Sequence, residues 1–360
     1  MKSVVLFIDA LTQGGAQRQL VGLAVLLKER GYQVEVVTYH DKPFYESFLD
    51  GHQIPHLIIR KPQTLVGLIW RVRKAFRNIH PDVVISYLDS PNTIACLVKM
   101  SGMDFRLIVS ERNTTQHLKR KDKVRFFLYR WASDVVSNSF SQEQFISHHF
   151  PQLRDKTQVI TNFVDLDVFR PAPDKEKRDF VRVIGVGRIE HQKNIGCLIK
   201  AAKAVSEQGY SVRVDWYGRQ TWLLERYRRM IAEMDLGQVF CFHEPTALIH
   251  ERYQEADLFC LPSLYEGYPN VLCEAMACGL PVICSDVCDN ARIMQDGANG
   301  FLFDPASPEQ LSDRIIGFLS LPVVRREEMG RQSRELAEQR FCKETFISQY
   351  IRLMEKLLHS

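Results

Sequence analysis

Three stretches of this 360-residue chain hold residues whose types and spacing can do chemistry. The longest is Pro262-Ser-Leu-Tyr-Glu266-Gly267-Tyr268-Pro269-Asn270-Val271-Leu-Cys-Glu274-Ala-Met-Ala-Cys-Gly279, which follows a short apolar run and opens a helical pattern. Gly267 and Pro269 predict a tight turn that leaves the backbone N–H groups of Asn270 and Val271 at a helix start, where they can face an anion. Glu266 falls in the loop and Glu274 about a turn into the helix, positions from which carboxylates can hold sugar and ribose hydroxyls by charge-assisted hydrogen bonds. Two glutamates at that spacing suit a solvated surface equally well. In the second stretch, Gly185-Val-Gly187-Arg188-Ile-Glu-His-Gln-Lys193-Asn194, a strand pattern ends and a helix follows. A guanidinium and an ammonium then stand at the strand's carboxyl edge, although Arg and Lys are also common in solvated loops. The third, Gly14-Gly15 before a helix, is by itself a turn.

Other patterns point to chemistry the chain does not support. Gly185-Val-Gly187-Arg-Ile-Glu190 begins like a dinucleotide fingerprint, but Glu190 stands at the third glycine and a Lys-bearing loop precedes the helix, which argues against a nicotinamide enzyme. Asp165-Leu-Asp167 has the D-x-D form of a metal-binding signature. Of nine cysteines, five (Cys260, Cys273, Cys278, Cys284, Cys288) fall close together, yet no tight C-x-x-C pair is among them. Small, buried, reduced thiols are expected there, with no zinc.

The elements that must position these groups alternate along the whole chain. Strand 4–8, helix 16–30 and strand 34–38 form a β-α-β unit, followed by helix 65–78 and strands 82–86, 107–109 and 134–137. Their near-continuous Val/Ile/Leu runs predict parallel strands buried on both faces. After two prolines and a charge cluster near Arg170, alternation restarts: strand from 180, helix 194–208, strand 212–217, helix 222–234, strand 239–242, a helix near Glu251, strand 258–261, helix 271–278, strand 281–284. With 45% hydrophobic and 25% charged residues, the length suits two α/β domains.

A net charge of +4 is too small to argue for nucleic acid. Its distribution says more: between Arg106 and Arg130 stand eight Lys/Arg and two acids, Glu111 and Asp122. Cations and aromatics share the helical pattern of 123–132, which can rest on anionic lipid or hold a phosphate-rich acceptor, or be a core helix with a basic solvated face. No apolar run reaches the roughly 18 residues that span a bilayer, and the opening apolar stretch is short for a signal peptide, so a cytoplasmic location is expected.

The string from Pro262 to Gly279 resembles the E-x7-E motif of glycosyltransferase family 4, and the similarity extends from the glycine turn to the last helix. The resemblance implies the GT-B fold: two Rossmann-like, doubly wound α/β domains facing across a cleft, 1–170 on the acceptor side and 171–342 binding the nucleotide sugar, with a helix at about 343–358 crossing back. It implies a retaining glycosyltransferase that takes sugar from a nucleotide sugar, UDP-linked being the commoner guess, to a glycan or polyprenyl-linked acceptor in polysaccharide or glycoconjugate synthesis. No metal or other cofactor is expected. Residue by residue, Glu266 would contact the transferred sugar, Glu274 the ribose, Arg188 and Lys193 the diphosphate, and the Gly14-Gly15 loop the donor phosphates. Cations at the diphosphate stabilise a leaving group whose charge grows in the transition state. Asp165-Leu-Asp167 then resembles part of an interdomain N-x-x-D-x-x-x-F element, which argues against a metal there.

The chain departs from the family pattern where a histidine is common in the first domain, having Ser110-Glu111-Arg112-Asn113 instead. Glu111 and Arg112 are candidates for the acceptor side. His243-Glu244 replaces a usual glycine, and Arg292 a frequent glutamate, leaving the nucleotide base open. Peripheral membrane contact through 106–131, at the inner face of the cell membrane, is expected from the lipid acceptors of the family. A sugar-nucleotide epimerase of the same fold, and a catalytically silent GT-B-like binding protein, are the alternatives.

Overall fold

The computed structural model describes residues 2–173 and 178–359 and divides into two compact units, Met1–Phe163 with Lys343–Ser360, and Val164–Cys342. The first contains β1 (Ser3–Phe7), α1 (Gly15–Glu29), β2 (Gln33–Thr38), α2 (Glu46–Gly51), β3 (His56–Ile58), α3 (Leu65–Ile79), β4 (Val83–Tyr87), α4 (Asp89–Met100), β5 (Arg106–Glu111), α5 (Arg120–Leu128), β6 (Asp134–Ser137), α6 (Phe140–His149) and β7 (Thr157–Val159). Its seven strands are all parallel, in the order β3-β2-β1-β4-β5-β6-β7. Parallel strands need crossovers on both faces, so successive strand residues face two different cores. Val4 and Leu6 pack with α1, while Val5 and Phe7 pack with Val72 and Phe76 of α3 and Ile94 of α4.

The second unit contains β8 (Val181–Val186), α7 (Ile195–Glu207), β9 (Val212–Tyr217), α8 (Leu224–Glu233), β10 (Phe240–His243), α9 (Ile249–Glu255), β11 (Leu258–Leu261), α10 (Asn270–Ala277), β12 (Val282–Ser285), α11 (Asn290–Ile293), β13 (Gly300–Phe303), α12 (Pro308–Leu319) and α13 (Val323–Arg340). Its six parallel strands run β10-β9-β8-β11-β12-β13. The last helix, α14 (Lys343–His359), belongs to the first unit: Phe346, Ile347, Tyr350 and Met354 lie in the core beneath α1, and the Tyr350 hydroxyl meets that of Tyr87 at 3.0 Å.

The line between the units falls at Val164, earlier than the prolines near Arg170 suggest. The Val164 N–H donates to the Phe341 carbonyl, and Val164 and Phe169 are buried in the core around α10, which draws the segment before the prolines into the second unit.

Candidate functional site

In an open parallel sheet, ligands collect outside the carboxyl ends of the strands where strand order reverses. In the second unit that point lies between the paired strands β8 and β11. The loop after β8 carries Arg188 and Lys193; the loop after β11 carries Glu266, and α10 follows it with Glu274. The sheet therefore brings together residues 73 apart in sequence: Lys193 Nζ donates to Glu266 Oε1 at 2.6 Å, with both side chains largely buried.

Glycines make room for this pairing. Gly187 has φ 156°, and a Cβ on it would stand 2.7 Å from the Lys193 stem. A Cβ on Gly185 would strike the Trp216 ring at 2.3 Å, and one on Gly218 would strike the Gly187 carbonyl oxygen at 2.0 Å. The Trp216 indole N–H donates to that same carbonyl at 2.9 Å, holding the loop flat against β9. Asn194 then turns the chain into α7 with φ 50°, and its amide donates to the Pro305 carbonyl.

Three residues that sequence reasoning passed over fix the carboxylate. Ser263 is fully buried and its hydroxyl donates to Glu266 Oε1 at 2.5 Å, the oxygen that Lys193 also reaches. Ser285 in turn donates to the Ser263 carbonyl at 2.6 Å. Gln192 stitches the two loops together, donating from its side chain to the Tyr265 carbonyl and accepting from the Leu264 N–H, both at 2.8 Å. Small polar residues in a loop carry no periodic signal, and only the adjacency of β8 and β11 gives these their meaning.

The other expected positions divide. Pro269 caps α10, and the Leu272 and Cys273 N–H groups bond back to its carbonyl, so Asn270 and Val271 occupy the helix start ahead of the first intrahelical bonds. Gly267 lies half-buried in the turn before it. Glu274 is buried one turn into α10, where the Tyr253 hydroxyl donates to its Oε2 at 3.3 Å. Arg188 is 58% exposed and pairs with Glu190 at 3.3 Å, so its guanidinium stands apart from the Lys193–Glu266 pair. Tyr268, expected with Gly267, Pro269, Asn270 and Val271 to contact the donor, has its ring buried against Phe341, centroids 6.2 Å apart.

Where His243 replaces the family's glycine, its ring stacks on Tyr217 at 4.5 Å and its Nε2 lies 2.6 Å from Asp215. Asp215 is buried and also faces Arg182 and Arg213. The clustered cysteines are all free; Cys260, Cys273, Cys278 and Cys284 are buried, and burial pushes the thiols of Cys260 and Cys284 up.

In the first unit Gly14 caps α1 in an extended conformation and Gly15 begins the helix; neither has a positive φ. Glu111 departs from the acceptor-side expectation. It is fully buried, accepts hydrogen bonds from the Tyr129 hydroxyl and, at 3.3 Å, from Gln142, and faces Arg125 at 3.4 Å. Burial raises its pKa, against the pull of Arg125. Arg112 is buried too: it stacks on Tyr87 at 4.7 Å and donates to Asn162, while its Nε and Nη1 have no acceptor among the described residues. The basic stretch 106–131 is likewise less available than its charge suggests. Residues 106–111 are a central strand, and Arg125 is buried between Asp89, Glu111 and Asp122. No helix of the described residues is long and apolar enough to cross a membrane.

Residues 13–168 match the family model Glycosyltransferase Family 4, and residues 169–336 match Glycosyl transferases group 1. Among curated proteins, the chain is 26% identical, over 97% of its length and 96% of the relative's, to a GalNAc-alpha-(1->4)-GalNAc-alpha-(1->3)-diNAcBac-PP-undecaprenol alpha-1,4-N-acetyl-D-galactosaminyltransferase of Campylobacter jejuni. It is 25% identical, over 81% of this chain and 83% of the relative, to an N-acetylgalactosamine-N,N'-diacetylbacillosaminyl-diphospho-undecaprenol 4-alpha-N-acetylgalactosaminyltransferase of the same organism. Among solved structures, Anabaena HepE in complex with UDP superposes with a TM-score of 0.84 at 20% identity, over 99% of this chain and all of that one.

Proposed function

The chain belongs to glycosyltransferase family 4 and has the GT-B fold, and from that premise we propose that it transfers a sugar with retention from a nucleotide sugar, UDP-linked first, to a glycan or polyprenyl-linked acceptor. The observation that carries the reading is the Lys193–Glu266 pair at 2.6 Å, seated at the point where strand order reverses. A fixed ammonium beside a fixed carboxylate suits a ligand with a charged diphosphate next to a hydroxyl-rich sugar. In this reading Glu266 positions the sugar ring, and Lys193 with Arg188 stabilises the charge that builds on the departing diphosphate. Glu274 takes the ribose hydroxyls, and the Asn270 and Val271 end of α10 takes phosphate oxygens. With two cations on the leaving group, the proposal calls for no metal.

The acceptor half rests on the relatives, whose names specify undecaprenol diphosphate-linked glycans. In this reading Gly14 and Gly15 contact donor phosphates through their backbone, and Arg112, with two nitrogens that have no acceptor among the described residues, serves the acceptor side. Exposed residues of 106–131, among them Lys121, Lys123 and Phe127, touch the inner face of the cell membrane.

The test is incubation with UDP-, GDP- and ADP-sugars and a membrane lipid extract, following nucleotide release and product mass. Release that requires lipid, with a product heavier by one sugar, is expected. An isomerised donor would establish the epimerase instead, and UDP binding without turnover across donors and acceptors would establish a silent binding protein.

A further inference from the structure

Helix α3 has one side too apolar and too basic to be explained by its own unit. Its inner stripe, Leu68, Val72, Ala75 and Phe76, is buried in the core, which meets the helix's need for an amphipathic face. Outside that stripe Val66 is 77% exposed and Trp70 60%. At about 100° per residue, Val66, Trp70, Lys74 and Arg77 share the side opposite the stripe. Arg71, Lys74 and Arg77 are exposed, the Lys74 ammonium sits 5.6 Å from the Trp70 ring centre, and the helix contains no acid. The apolar side chains crowd its first turns and the cations its last. Helix α4 packs against both α3 and α5, and α5 adds exposed Val124 and Phe127 to the same layer.

We propose that this face of α3 is a docking surface for an anionic lipid bilayer, with Val66 and Trp70 entering the interface and Lys74 and Arg77 resting on lipid phosphates. Charge complementarity selects that occupant. Three exposed cations on an acid-free helix are attracted to a surface of fixed negative charge, and an indole suits the boundary between headgroup and acyl chain. The apolar part of the face is small, two side chains, and gives a partner helix or strand little to bury. The inference extends the lipid-linked acceptor reading but needs neither donor nor acceptor to be tested.

The experiment is flotation of the full chain with phosphatidylcholine vesicles and with vesicles half phosphatidylglycerol, without substrate. Wild type is expected on the anionic vesicles and largely absent from neutral ones, with binding weakened by added salt. Trp70→Ser and the double variant Lys74→Gln/Arg77→Gln are each expected to lose about tenfold in partitioning. Trp222→Ser removes an 84% exposed tryptophan of the second unit and is expected to bind as wild type. Wild type that ignores anionic vesicles, α3 variants that bind normally, or an equal loss in Trp222→Ser would each overturn the proposal. So would sedimentation showing a lipid-free dimer that Trp70→Ser dissolves, since the face would then serve a second copy. UDP binding, measured alongside, fails or succeeds independently and reports on the sugar-transfer reading alone.

Discussion

Each sheet reverses its strand order once, and the loops at the two reversals are furnished in opposite ways. Between β8 and β11 the charged side chains of two loops meet each other, Lys193 on Glu266, with Ser263 holding the shared oxygen. Beside the reversal between β1 and β4, the carboxylate at the end of β5 turns inward: Glu111 is engaged by Tyr129, Gln142 and Arg125, and Arg125 by Asp89. The same topology thus supplies a place for a ligand in both units, while loop residues decide whether charge is held ready for one or consumed by the fold.

The largest effect should separate these two uses. Glu111→Ala leaves a cavity in the first unit, takes from Arg125 one of its three carboxylate partners and removes the acceptor shared by Tyr129 and Gln142, at a cost of about 1–3 kcal/mol for each buried donor left unmatched. The expected result is a marked fall in the urea midpoint, with Glu111→Gln milder because it keeps the Tyr129 and Gln142 contacts. A Glu111→Ala protein that unfolds like wild type but fails to turn over would make Glu111 a site residue and erase the contrast.

Next in size, Lys193→Ala and Glu266→Ala should lower turnover at least about tenfold, the scale of one lost transition-state contact, while cooperative unfolding is kept. Wild-type rates in either variant would move the active site elsewhere.

A smaller effect tests an acid at the amino end of the first sheet. Asp134, at the start of β6, is buried with Gln158 donating to it at 2.8 Å, and burial raises its pKa to about 6. The folded chain therefore holds a proton that the unfolded chain, with a carboxyl near 3.9, releases earlier. Its contribution to stability is present below about pH 4 and is lost as pH rises through 6. Asp134→Asn should remove that dependence and stabilise the protein well above pH 6 by about 3 kcal/mol. Urea unfolding across that range reads the result, and parallel pH profiles for the two proteins would show that Asp134 ionises normally.

Much of the second unit's candidate site could be read in advance, because a strand, a glycine turn and a helix start leave marks in sequence. The bounds of Val212–Tyr217 and Leu258–Leu261 agree with those read from the alternating VRVDWY and the apolar LFCL. What escaped was of several kinds. Helix α13 is polar nearly all round, VVRREEMGRQSRELAEQR, and shows no stripe from which to read it. The fates of Glu111, Arg125 and Tyr268 depend on partners 14 to 73 residues away, and nothing local distinguishes a carboxylate or an aromatic ring that will face inward from one that will face a ligand. The exposed side of α3 escaped for the converse reason: its basic and apolar residues look ordinary until the buried stripe is subtracted.

The finest distinction concerns Ser263. If the second unit's site is built around one oriented carboxylate, removing the buried hydroxyl that holds it should be felt at the chemical step. Ser263→Ala takes away the 2.5 Å hydrogen bond to Glu266 Oε1, a loss of about 1 kcal/mol or somewhat more for a charged acceptor, or roughly a fivefold fall in kcat. Donor KM should move less than kcat if, as proposed, the diphosphate is held by Lys193 and the end of α10 while Ser263 acts through the carboxylate that aims the sugar. In a Glu266→Ala background the same substitution should do nothing further, since the group it positions is gone. Equal losses in both backgrounds would mean that Ser263 merely supports the loop, and the second unit's switch point would then be no more specialised than the first's.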